Sequence, residues 1–384
     1  MRRSSASVLI AAATLMLLAA CAPSGGAPAA APTPTETPTP TLDPIAAEVE
    51  ERLSDMSIEQ RAAQLFMLHA PGTDPAPLAA LADLGIGGLI LMGDNVPATP
   101  AELAALVDAV DGDPDFPLLI GIDEEGGDVQ RLPWDDAAAA PTLRDAPPEA
   151  TEEAFARRAS LLAEAGVSVN FGIIADVTAD PDSFIFDRVL GTDPRAAAER
   201  AAAAVEGEHG VVASTLKHFP GHGAAPGDSH TSIPAADLSL EEWRAGPALP
   251  FAAGIDAGAE LVMTGHLAYP AVDEEPATLS RAWHEMLRDE LGFDGVVVTD
   301  DMTMLQNSGL PEYQDPVENA VRAVVAGGDL LLYVLPADPA DVGIDPAALI
   351  SGLVTAVEEG RIPPERLEDA ARHVLTLRLA LADR

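Results

Sequence analysis

The sequence predicts an α/β protein, a (β/α)8 barrel of the TIM type. Three observations point to it: eight short runs that are almost wholly apolar, helix-forming stretches between them, and a charged or imidazole side chain within two residues after each of five successive runs. Runs without polar alternation suit parallel strands covered by helices. Eight βα units suggest closure into a barrel, whose chemistry gathers at the C-terminal ends of its strands. An open, doubly wound sheet is the competing arrangement, but no glycine-rich phosphate loop follows the first run.

In chain order, the expected strands are Leu65 to His69, Gly88 to Met92, Pro117 to Ile122, Val167 to Ile174, Val211 to Leu216, Glu260 to Thr264, Gly295 to Thr299 and Asp329 to Val334. Thr99-Pro100-Ala101-Glu102 reads as a capping box with proline at the first helical position, opening a helix to about Val110. Ala150 to Gly166, Pro194 to Gly210, Leu279 to Leu291 and Pro316 to Gly327 follow as helices, several closed by glycine, with Pro364 to Asp383 the last. Asp123 follows the third strand, Asp176 the fourth, Lys217 and His218 the fifth, His266 the sixth and Asp300 the seventh. Such a set capping successive strands is what a site at a barrel mouth requires.

Composition bounds the partners. The 384 residues include 62 acidic and 21 basic side chains, for a net charge of -41, with 48% hydrophobic residues and one cysteine. The apolar fraction supports a real core and rules out global disorder. No basic stripe is present, which argues against a nucleic-acid partner and against electrostatic binding to anionic lipid. The acidic excess reads as a strongly solvated surface. Of the basic residues, only Lys217 is a lysine.

Arg2 and Arg3 precede an apolar run from Val8 to Ala20, too short for a typical membrane span and suited to a secretory signal. Leu18-Ala19-Ala20-Cys21 then resembles the lipobox of bacterial lipoproteins, whose cysteine is lipidated; an ordinary signal peptide cut near Ala29 to Ala31 is the alternative. A single cysteine excludes an internal disulfide framework. Residues 1–20 are therefore expected to be a lipoprotein signal peptide and 21–43 an Ala/Pro/Thr-rich linker. Residues 44–384 form the folded domain, exported and touching the membrane only through lipid on Cys21.

The densest chemistry lies in Lys217-His218-Phe219-Pro220-Gly221-His222-Gly223, followed by Asp228-Ser229-His230. A zinc site is one reading of His218 and His222. That spacing aligns two ligands on one face only in a helix, which Pro220-Gly221 would break. Asp228 and His230, two apart in a tight loop, allow the carboxylate to orient the imidazole and favour its protonated form, the equipment of a general acid/base. Asp300 ends the apolar strand Val296-Val297-Val298-Thr299, where an acid can serve as a nucleophile. Together these groups could displace a leaving group at an anomeric carbon. In Asp123-Glu124-Glu125-Gly126-Gly127-Asp128-Val129-Gln130-Arg131, the glycines permit close approach to a ligand while an acid and an arginine grip hydroxyls; an acidic turn salt-bridged to Arg131 is the plainer alternative.

From about 50 to 380, these motifs resemble glycoside hydrolase family 3, in its β-N-acetylglucosaminidase (β-N-acetylhexosaminidase) branch. Asp123 to Gly127 with Gln130-Arg131, Lys217 to Gly223 with Asp228-Ser229-His230, Met263-Thr264-Gly265-His266, and Gly295 to Asp301 match in order. The resemblance implies a retaining, two-step glycosidase needing no cofactor, with Asp300 as nucleophile and His230 as acid/base supported by Asp228. It further implies that Asp123, Arg131, Arg188, Lys217 and His218 bind the sugar, Arg188 through the looser match Asp187-Arg188-Val189-Leu190-Gly191. Glu124 departs from the glutamine often found there, and no proline precedes Asp176 in the pattern common to the family. The expected substrate is a glycan carrying terminal N-acetylglucosamine, from peptidoglycan fragments or chitooligosaccharides. A phosphorylase or a β-glucosidase of the same family, a metal-dependent hydrolase and an inactive sugar-binding lipoprotein are the alternatives.

Overall fold

The computed structural model describes residues 44–113 and 116–382; the expected signal peptide, linker and Cys21 lie outside the described residues. Each of the eight runs supplies one strand of a single parallel sheet, the fifth extending past its run: β1 (Phe66–Leu68), β2 (Gly88–Leu91), β3 (Leu119–Ile122), β4 (Val169–Ile174), β5 (Ala213–Phe219), β6 (Leu261–Thr264), β7 (Val296–Thr299) and β8 (Leu331–Tyr333). Neighbours in sequence are neighbours in the sheet, and β8 returns beside β1 with Phe66 opposite Leu331. The last seam is made by the amides of Thr299 and Met302, each donating at 2.9 Å to the carbonyls of Leu330 and Leu332. The ring is a (β/α)8 barrel.

The apolar runs hide a period-two alternation that surface polarity would have revealed only in a half-exposed sheet. Met67, Ile90, Leu119, Val169, Phe171, Ala213, Leu261, Met263, Val296, Val298, Leu330 and Leu332 form one buried cluster. Their strand neighbours, such as Phe66, Leu89, Ile120, Val262 and Val297, belong to other clusters shared with the helices. Gly121 makes room inside for Phe171, whose ring would lie 2.5 Å from any Cβ placed there. Val374 and Leu377 of the helix Pro364–Ala382 join the inner cluster, and Val374 packs beside Gly87 at the N-terminal ends of the strands. That helix plugs the barrel's floor and leaves the opposite end for chemistry.

The helices begin and end as their punctuation dictates, with differences. Gly166, Gly210 and Gly327 adopt positive φ just beyond the helices Pro148–Glu164, Pro194–Glu208 and Pro316–Ala326. Thr99 caps Pro100–Val110 by accepting from the Glu102 amide, but Glu102 accepts the Thr99 hydroxyl instead of its amide, so the capping box is half formed. The single helix expected over Leu279 to Leu291 is a 3-10 turn, a short helix Arg281–Glu285 and a π turn Met286–Glu290. Arg288, in that widened turn, donates to the carbonyls of Phe293 and Gly295 and to Asp329. An antiparallel ribbon, Ala268–Tyr269 with Asp273–Pro276, was not anticipated.

Candidate active site

β5 runs three residues further than its apolar pattern, so Lys217 and His218 lie within the strand, not after it; Lys217 pairs in register with Ile174 of β4. The peptide bonds Lys217–His218 and Phe219–Pro220 are cis. Lys217 is 2% exposed, and its Nζ lies 2.7 Å from Asp123 Oδ1 and 2.8 Å from Glu125 Oε1. Burial works against the ammonium, yet the two carboxylates hold its pKa above the ordinary value. Arg188 donates twice to Glu125, at 2.9 and 2.7 Å, a bidentate pair. Arg131 reaches the other oxygen of Asp123 at 3.5 Å. Burial opposes ionisation of Asp123 and Glu125, but the surrounding cations keep both below the usual carboxylate range.

Gly126 and Gly127 do not line the cavity. Both take positive φ in a tight turn, and a Cβ on Gly126 would fall 2.0 Å from the buried Arg158 guanidinium. Gly126 makes room for Arg158 and Gly127 for Ala139, so the glycines expected to admit a ligand are set by packing instead.

Two adjacent acids follow β7 and diverge in character. Asp300 accepts from the Asp301 amide at 2.8 Å; against the desolvation of burial, the imidazoles of His218 and His266 lead in holding its pKa low. Asp301 instead accepts from the Thr303 hydroxyl and the amides of Thr303 and Val334, tying two loops together. Burial pushes it up to about 6. His266 donates from Nε2 to the Asp301 carbonyl at 2.9 Å, and burial lowers its pKa. Asp176, fully buried at the end of β4, binds His218 Nδ1 at 2.7 Å and accepts from the His222 amide. One nitrogen of each histidine considered for a metal is engaged: Nδ1 of His218 on Asp176, and Nε2 of His222 at 3.0 Å from Ser229 Oγ.

His230 and Asp228 form a close pair, Nδ1 to Oδ1 2.5 Å, in the loop after β5. Hydrogen bonds from His230 outweigh burial and lower the Asp228 pKa. Asp123, Arg131, Arg188, Lys217, His218, His230 and Asp300 all line one cavity of about 200 Å³ at the strands' C-terminal ends. Asp228 stands behind His230. Of the described residues singled out from sequence, Asp176, His222, His266, Gly126 and Gly127 also do not line the cavity, and Cys21 lies outside the described residues.

Three contributors were missed. Glu125 pairs with both Lys217 and Arg188, yet in an acidic run it resembles any solvated carboxylate; its position two residues after Asp123, on the same side of an extended chain, was the available signal. Asp176 was noted at a strand end without the role of binding two histidine segments. Phe184 lines the cavity and meets the His230 ring edge-on at 6.0 Å, and nothing in its local sequence marks it.

Residues 57–377 match the glycosyl hydrolase family 3 N terminal domain. A β-hexosaminidase of Pseudomonas aeruginosa is 35% identical over 292 residues, spanning 74% of this chain and 82% of its own length. A glycoside hydrolase family 3 β-N-acetylglucosaminidase structure from Paenibacillus superposes with a TM-score of 0.78 at 33% identity, covering 86% of this chain and 64% of that one. A β-N-acetylhexosaminidase structure from Beutenbergia cavernae gives 0.70 at 30% identity, over 84% of this chain and 99% of that one.

Proposed function

The chain belongs to glycosyl hydrolase family 3 and is a glycosidase of the β-hexosaminidase type; we propose that it removes terminal, non-reducing β-linked N-acetylglucosamine from peptidoglycan fragments or chitooligosaccharides, with retention. A carboxylate oxygen of Asp300 attacks the anomeric carbon as the glycosidic bond breaks, and His230 gives its proton to the departing oxygen. Water then adds to the same carbon, His230 takes a proton from it, and the Asp300 ester bond breaks. Asp228 orients the imidazole and stabilises its cationic form. Asp123, Arg131, Arg188, Lys217 and His218 hold the sugar, the acids accepting from hydroxyls and the cations donating to them.

The observation that carries this reading is a half-buried carboxylate kept ionised by its neighbours, facing the same small cavity as a histidine paired to an acid. Neutral sugar also suits a pocket in which each cation already has a carboxylate partner. Export and lipidation at Cys21 complete the proposal, resting on the basic start, the apolar run and Leu18-Ala19-Ala20-Cys21.

The test is turnover of aryl β-N-acetylglucosaminide and aryl β-glucoside by the purified protein, with and without inorganic phosphate. Hydrolysis of the first substrate is expected, falling by at least about a hundredfold in Asp300→Ala and His230→Ala. A sugar 1-phosphate as the main product would make the enzyme a phosphorylase, and unchanged activity in Asp300→Ala would refute the mechanism.

A further inference from the structure

His230 and Asp228 are the most solvent-facing polar groups of the site, their side chains 60% and 50% exposed. A ring so placed needs a support that fixes its loop. Ser229, between them, turns inward: it is 2% exposed, and its hydroxyl lies 3.0 Å from Nε2 of His222, itself 1% exposed. The other ring nitrogen of His222 is buried with no hydrogen-bond partner, so Ser229 alone meets this imidazole's polar edge among the described residues.

His222 in turn belongs to a firmly fastened segment. Its amide donates to Asp176, the Tyr269 hydroxyl donates to the Gly221 carbonyl at 2.6 Å, and Trp243 Nε1 donates to the Pro220 carbonyl at 2.9 Å. Gly223 sits so close to the barrel that a Cβ would fall 2.2 Å from the Val177 carbonyl oxygen. Phe184 packs on the His222 ring at 5.0 Å and reaches His230 from the same side.

We propose that Ser229 is a positioning residue: its buried hydrogen bond to His222 couples the exposed Asp228–His230 pair to this fastened segment and so sets where the proton donor stands. The proposal rests on His230 acting as that donor. Displacing the donor weakens protonation of the leaving group without altering the attack by Asp300. Leaving groups that depart as stable anions need no proton, whereas basic ones do.

Ser229→Ala, Ser229→Thr, His222→Phe, the double variant Ser229→Ala/His222→Phe and His230→Ala are compared on phenyl and dinitrophenyl β-N-acetylglucosaminides. Ser229→Ala is expected to lose about tenfold or more in kcat/KM on the phenyl substrate and less than about threefold on the dinitrophenyl one. Ser229→Thr, which keeps the hydroxyl, recovers most of the loss. The double variant loses no more than either single one, because the two residues act as a unit. Equal losses on both substrates, no loss on either, or additive losses in the double variant overturn the proposal while leaving His230 in its role. If His230→Ala itself shows no dependence on the leaving group, the donor assignment fails, and the role of Ser229 with it.

Discussion

Glu124 and Glu125 are adjacent in sequence and opposite in chemistry. Glu125 faces Lys217 and Arg188 and stays ionised, while Glu124 is 0% exposed and accepts from the amides of Arg131 and Leu132 at 2.8 and 2.9 Å. Burial, with Asp135 nearby, pushes Glu124 up to about 8 from an ordinary 4.5, so it carries its proton at neutral pH. The folded state then binds that proton more tightly than the unfolded chain. Its contribution is present at acid pH and is lost as pH rises from about 4.5 through about 8. Glu124→Gln keeps the acceptor without the charge. It should therefore unfold at a higher temperature than the parent near pH 9 and differ little near pH 5, as read by thermal melts; a larger gain at the acid end would count against this account. The sequence marked Glu124 as unusual without saying why, since local spacing records which face a side chain takes and not what waits there. Asp123 and Asp300 were legible because each ends an apolar strand. Glu125 needed its cations, which lie about sixty and ninety positions away.

At the scale of elements, the strands were legible because only buried parallel strands read as unbroken apolar runs, and the helix ends because glycine marks them. What escaped notice is made by long-range contacts. β5 continues through Lys217 and His218 because β4, β6 and buried carboxylates accept polar residues there, and the stretch after Leu279 is reshaped around Arg288. Arg288 leads to Asp329, just before β8 at the barrel's floor. Its carboxylate, fully buried, receives Arg288 and Arg366, each at 2.6 Å, and the Val297 amide at 2.9 Å. These contacts join the π turn, β7, β8 and the plugging helix around the closing seam. Asp329→Ala would take the shared carboxylate from two guanidinium groups, leaving them their carbonyl partners and, for Arg366, Asp369, and is expected to cost about 3 kcal/mol in urea denaturation. A cost under about 1 kcal/mol would mean that the seam holds without it.

For the whole molecule, the 41-charge acidic excess bears on the proposed lipid anchor. At most 21 of its 62 acids can pair one-to-one with a basic side chain, so the surface is repelled by an anionic leaflet. Among the described residues, no helix is long and apolar enough to cross a bilayer. Lipid on Cys21 would then be the sole attachment, without the polybasic support that weak anchors require. Cys21→Ser is expected to shift the protein from the membrane to the soluble fraction on cell fractionation; undiminished membrane retention would refute the anchor. The same scarcity of lysine has a chemical corollary at the barrel mouth. With its one ε-amine clamped between Asp123 and Glu125, the folded chain presents no lysine to acylating reagents. Lys217 is thus a built-in reporter: its rate of acylation counts how often the clamp comes apart, and a sugar seated above it would slow that clock.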